Sequence, residues 1–117
     1  MFDFEKLEVY QHLRELNADV FRFLAATPNL EDHLRSQFRR ATLSAALNLA
    51  EGSGRMTKPD KKRFYTIARS SVFECVAIMH VIQDQGQMDE AIFNDFYTRY
   101  TTASKMLLGM YRSMITS

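Results

Sequence analysis

Two groups of side chains in this sequence have types and spacings that could do chemistry. The first is Gln37, Arg40, Ser44, Asn48 and Glu51, which stand three, four, four and three residues apart. A helix would align them on one stripe. Apolar residues flank the stripe on both sides, and polar groups set into such a surface are costly unless each finds a partner. The stripe therefore reads as a structural network or, alternatively, as an anion or nucleotide pocket built on Arg40 and Arg63. The second group is the basic run Arg55, Lys58, Lys61, Lys62 and Arg63, with Arg69 a little further on. Such a cluster can hold RNA or DNA through salt-sensitive, sequence-independent phosphate contacts. It can equally be a solvated helix end. Tyr65 alone supplies little for base stacking.

Other chemistries lack their parts. A di-metal bundle site needs Glu-x-x-His on two helices plus two further inward glutamates. No Glu-x-x-His occurs; Glu8 and His12 are one residue too far apart, and His33 and His80 fall on other segments. No metal and no cofactor are expected. Cys75 sits among apolar residues without a nearby histidine and reads as a buried, inert thiol. Gly52-Ser53-Gly54-Arg55 has neither the Walker spacing nor a preceding strand. Ser44 has no glycine elbow and no histidine partner. With no nucleophile, base and oxyanion hole in sight, the expectation is a protein that is not an enzyme.

The elements that must position these groups read as four helices. Helix 1 is predicted from about Glu5 to Ala26, with Val9, Leu13, Leu16, Val20 and Phe23 as its apolar stripe and Pro28 beyond its end. Helix 2 is predicted from about Leu30 to Ala50 or Glu51. Leu34, Phe38, Ala41, Ala45 and Leu49 make one face, and Leu43, Ala46, Leu47 and Ala50 a second, so it should be buried on two sides. Gly52 and Gly54 are expected to stop it. Helix 3 opens with Thr57 as N-cap, Pro59 in the first turn and Asp60 closing a capping box. Phe64, Ala68, Ser71, Cys75, Ile78 and Ile82 are its stripe, and Gly86 its end. Helix 4 starts after Asp89 as N-cap and carries the seam Phe93, Phe96, Tyr100, Ala103, Leu107, Met110 and Met114. No period-two alternation or Asn-Gly hairpin signals a strand. Short connections predict an all-α, antiparallel up-down-up-down four-helix bundle, one domain over residues 1–117.

In that arrangement helices 2 and 3 run antiparallel across a turn near Arg55. The second stripe, Arg63, Ile67, Ser70 and Glu74, then meets the first in register. Glu51 should pair with Arg63 and Arg40 with Glu74, with Ser44 and Asn48 bonding between them.

Bulk properties agree with a globular domain: 46% hydrophobic and 25% charged residues. No apolar run reaches the ~20 residues of a membrane span, so no membrane partner is expected. The segment Met1-Phe2-Asp3-Phe4-Glu5 is unlike a signal peptide, and a single Cys suits a reducing, cytoplasmic setting. Net charge is +1, but it is uneven: −4 over residues 1–32, +7 over 33–73 and −2 over 74–117. The basic middle suits either a polyanion-binding face or mutual attraction of helices.

The run from Gln37 to Ser44, followed by Asn48-Leu49-Ala50-Glu51-Gly52-Ser53-Gly54-Arg55, closely resembles the signature of the four-helix-bundle proteins encoded in intervening sequences of bacterial 23S rRNA genes. Phe4 to Gln11, Lys62 to Arg69, Ser71 with Glu74, and Lys105-Met106-Leu107 resemble further segments of that family. Ser70, Cys75 and Ala46 depart from it, standing where Gly, Leu and often Pro are usual. The resemblance implies a homo-oligomer, a pentameric ring. It also implies kinship to accessory proteins of diversity-generating retroelements, which assist a reverse transcriptase and bind nucleic acid. It implies no enzymatic activity. The extra apolar face of helix 2 and the helix 4 aromatics Tyr97 and Tyr111 are the expected subunit contacts.

Overall fold

The computed structural model describes residues 1–115 and contains four α-helices: α1 (Glu8–Ala25), α2 (Asp32–Ser53), α3 (Lys58–Asp84) and α4 (Glu90–Ser113). Each helix packs on its neighbours in sequence, α4 closes onto α1, and the diagonal pairs α1–α3 and α2–α4 stay apart. The result is an up-down four-helix bundle, 47 Å long and 25 by 22 Å across. No strand occurs among the described residues.

The predicted apolar stripes are the core. Val9, Leu13, Leu16, Val20 and Phe23 of α1, Leu34, Phe38, Ala41, Ala45 and Leu49 of α2, and Phe96, Tyr100, Ala103 and Leu107 of α4 are all buried. On α3 the buried stripe is Phe64, Ala68, Ser71, Cys75 and Ile82, with Ile78 half-buried. α3 is also long and apolar enough, by length and composition, to cross a membrane. Here its apolar face is spent on the bundle, packed against α2 and α4.

Three boundaries differ from the sequence reading, each for a local reason. Helix 1 does not begin at Glu5. Asp3–Lys6 forms a separate 3₁₀ turn, closed by the Glu5 carboxylate accepting from the Phe2 N–H at 2.9 Å, and Leu7 is extended (φ −75°, ψ 127°) before α1 starts. Helix 2 begins at Asp32, after a turn in which the Arg35 guanidinium donates to the carbonyls of Leu24 and Thr27 and so satisfies the end of α1. Helix 2 also runs through Gly52 rather than stopping there. Gly52 is buried, and a Cβ on it would lie 2.7 Å from Phe64 Cβ and 3.0 Å from the Tyr65 ring. The glycine permits close approach of α2 and α3; Gly54 is the cap.

The remaining ends follow their chemistry. Thr57 Oγ1 accepts from the Asp60 N–H at 3.3 Å, and Pro59 occupies the first turn of α3. Gly86 takes φ +73° after α3, and the Gln87 N–H reaches back to the Ile82 carbonyl at 3.1 Å, a Schellman closure that favours glycine. Asp89 is at the N-cap position of α4, but its side chain makes no capping hydrogen bond.

Candidate nucleic-acid interface

The polar stripe divides into contacts across α2–α3 and contacts within one helix. Arg40 Nη2 donates to Glu74 Oε2 at 2.7 Å and to Gln37 Oε1 at 2.6 Å. Ser44 Oγ meets Ser71 Oγ at 2.8 Å, and Asn48 Nδ2 donates to the Ser44 carbonyl and hydroxyl at 2.9 and 3.0 Å. Glu51 does not reach Arg63. It pairs with Arg55 one turn on, at 3.1 Å, while Arg63 lies 3.8 Å from Asp60. Partners three and four residues away in sequence are met without crossing between helices, which is why they win. Ser70, predicted to face α2, is exposed; the hydroxyl that bridges the helices belongs to its neighbour Ser71. The Arg40 and Glu74 side chains are 60% and 39% exposed, so this pair is a surface salt bridge worth about 0–1 kcal/mol, not a buried one.

A buried polar network does exist, centred elsewhere. Thr42 Oγ1 donates to Asn17 Oδ1, and Asn17 Nδ2 returns a bond to the Thr42 carbonyl at 3.1 Å. With the Thr42 proton so used, the Tyr100 hydroxyl at 2.7 Å is the donor to Thr42. Cys75 lies beside the same hydroxyls, and burial pushes its thiol up to about 12. α1, α2, α3 and α4 thus each send one polar side chain to a shared centre. Asn17 and Thr42 fall at core positions in the helical pattern, between Leu13 and Val20 and beside Ala41 and Ala45; that was their only signal in the sequence. Cys75 is buried within this network, in keeping with an unreactive thiol.

The structure also sorts the basic run. Arg55 is paired with Glu51 and, with Arg63, has its guanidinium 4.5 Å from the centre of the Phe64 ring. Lys61 Nζ donates to the Ser53 carbonyl at 2.7 Å, satisfying the end of α2. Both are committed to the α2–α3 turn. Lys58, Lys62 and Arg69 have no carboxylate partner among the described residues.

Lys62 and Arg69 lie along the edge of α3 that faces α4, and there they meet aromatic rings. Lys62 Nζ is 5.7 Å from the Tyr111 ring centre, and the Arg69 guanidinium is 4.8 Å from that of Phe73. Arg69 Nε donates to the Ser104 carbonyl at 3.2 Å, which anchors it across α4. Between them lies a cavity of about 200 Å³ lined by Tyr65, Thr66, Arg69, Ser70, Phe73, Leu108 and Tyr111. A second hollow of about 390 Å³ adjoins it, shares Arg69 and Phe73, and adds Tyr97 and Lys105. The sequence reading pointed to the turn after Gly52. The tertiary structure moves the uncommitted cations to the α3–α4 edge, because Tyr111, Leu108 and Lys105 lie more than thirty residues away in sequence. Among the described residues no cluster of His, Cys, Asp and Glu could hold a metal ion.

A small antiparallel four-helix bundle with a basic and aromatic edge, and a polar centre drawn from all four helices, defines the class of protein. The family follows from comparison: the model of the 23S rRNA-intervening sequence protein family matches residues 5–109, and the chain belongs to that family. No curated protein matches it.

Proposed function

We propose that this chain is a non-enzymatic, self-associating bundle protein of the cytoplasm that binds RNA or DNA through the α3–α4 edge. The observation that carries the reading is the sorting of charges: within the basic run, Lys62 and Arg69 have no carboxylate partner among the described residues and lie where aromatic rings and open hollows also occur. Lys58, one turn before Lys62, extends the same positive strip. Self-association is supported on a different face, where Leu47 and Ile67 of α2 and α3 are 62% and 37% exposed. A ring of five, the assembly the family resemblance implies, would repeat the basic strip around its circumference.

Filter binding of single-stranded RNA across a salt series tests the reading. Affinity should fall steeply with salt, and Lys58→Ala, Lys62→Ala and Arg69→Ala together should flatten the slope of log affinity against log salt by about 2. Absence of binding at low salt, or binding indifferent to the triple change, defeats it. One observation favours a second reading: Phe73 and Tyr97 are 56% and 46% exposed on the same edge, a surface that would suit a protein partner such as a reverse transcriptase. On that reading the RNA assay fails.

A further inference from the structure

We propose that the cavity bounded by Tyr65, Arg69, Ser70 and Tyr111 takes one unstacked nucleobase of a single-stranded nucleic acid, with the adjoining phosphate on Arg69. This rests on the nucleic-acid reading above and adds what the edge recognises. The cavity's size is the first argument. At about 200 Å³ it is smaller than the ~300–1,000 Å³ of sites for drug-sized ligands, so it admits one planar ring system.

The lining is the second argument. Phe73, Leu108 and Tyr111 offer apolar and aromatic surface for the face of a ring, and Thr66, Ser70 and Tyr65 bring hydroxyls for its edge. Tyr65 is only 2% exposed as a whole, but its hydroxyl is not buried and makes no hydrogen bond among the described residues, so it opens on the cavity. A hydroxyl that is open to the cavity and has no internal partner is free to donate to the polar edge of a base. Burial also raises its pKa, which keeps the proton in place for donation.

Arg69 supplies the third. Its Nε bond to the Ser104 carbonyl and its stacking on Phe73 hold the guanidinium still, while its two terminal nitrogens find no acceptor among the described residues. That is a planar fork suited to a phosphate. Arg69 and Phe73 line both hollows, so the pair is a partition between them. A base on one side, its neighbour on the other and the linking phosphate at Arg69 is the arrangement this partition fits. A duplex cannot adopt it, because its bases are stacked and paired.

The probe is a short single-stranded RNA in which 2-aminopurine occupies each position in turn, compared with its duplex and with strands carrying an abasic site. The expected result is a change in 2-aminopurine fluorescence on binding, and affinity about tenfold or more weaker for the duplex and the abasic strands. Ser70→Phe fills the cavity from an exposed position. It should abolish the fluorescence change and weaken binding about tenfold, with the salt slope preserved and helicity unaltered by circular dichroism. Tyr65→Phe, which removes only the hydroxyl, should weaken binding with the fold intact. Equal binding of single strand, duplex and abasic strand, with the fluorescence indifferent to Ser70→Phe, overturns the base site and leaves the phosphate surface standing. No binding of any probe at low salt overturns both.

Discussion

Thr42 joins three helices through one side chain: it donates to Asn17 of α1, accepts from Tyr100 of α4, and sits on α2 itself. Thr42 and Tyr100 are fully buried, so each hydrogen bond here is hard to replace with water. Thr42→Val keeps the shape but strands the Asn17 carbonyl and the Tyr100 hydroxyl. It should cost about 1–3 kcal/mol in urea unfolding. Adding Asn17→Leu and Tyr100→Phe should recover part of that loss, since removing these partners together leaves only the weakly polar Cys75 thiol at the centre. A Thr42→Val midpoint indistinguishable from wild type would show that the network holds nothing. Arg40 and Glu74 make the instructive contrast. Their pairing across α2–α3 is the one the antiparallel register predicts, but their exposure makes it a weak contributor to stability.

At the scale of elements, the junction of α2 and α3 is set by the absence of a side chain. Gly52 lies inside α2, where glycine is a poor helix former, and its place there is explained by Phe64 and Tyr65 pressing against it. Gly52→Ala would gain helix propensity but put a methyl group 2.7 Å from Phe64 Cβ. The overpacking should dominate and lower stability by about 1–3 kcal/mol. Gly54→Ala is the control, since its Cβ would meet nothing nearer than 3.6 Å. Thermal melts of the two variants should separate clearly; equal melting temperatures would mean that α3 can move away at little cost. Displacing α3 also displaces Tyr65, so the same contact shapes the cavity wall.

At the scale of the whole molecule, the single bundle leaves apolar surface unspent. The sequence pattern of α2, apolar on two faces, predicts burial on two sides, yet Leu47 stands 62% exposed while Leu34, Phe38 and Leu49 line the core. Ile67 of α3 adds to that surface. We expect Leu47→Glu with Ile67→Glu to yield single chains with unchanged helicity, measured by sedimentation and circular dichroism. Neither residue contributes to the core, so the fold should tolerate both changes. An unchanged sedimentation coefficient would place the contacts on another face.

Much of this protein was legible one residue at a time. Helical periodicity marked the buried stripes of α1 and α2 residue by residue and the middle of the α4 seam, whose Phe93, Met110 and Met114 are half-buried, because burial on one face of a helix repeats at its own pitch. Thr57 and Pro59 marked the start of α3 and Gly86 its end, because capping and positive φ act within a few residues. What the pattern could not supply was choice among partners at similar cost. Glu51 had Arg55 in the turn just past its own helix and Arg63 on the next helix, and only the packed distances decided for Arg55. The same holds for the candidate site. Sequence located the basic block, but whether a cation is neutralised, caps a helix or remains free depends on which carboxylate, carbonyl or ring lies beside it in space. Lys62 meets Tyr111, Arg69 meets Ser104, and Asn17 meets Thr42 across gaps of 25 to 49 residues. Local propensity shaped each helix; the tertiary packing alone brought those side chains together, because their interactions extend only a few ångströms and the chain must fold before they begin.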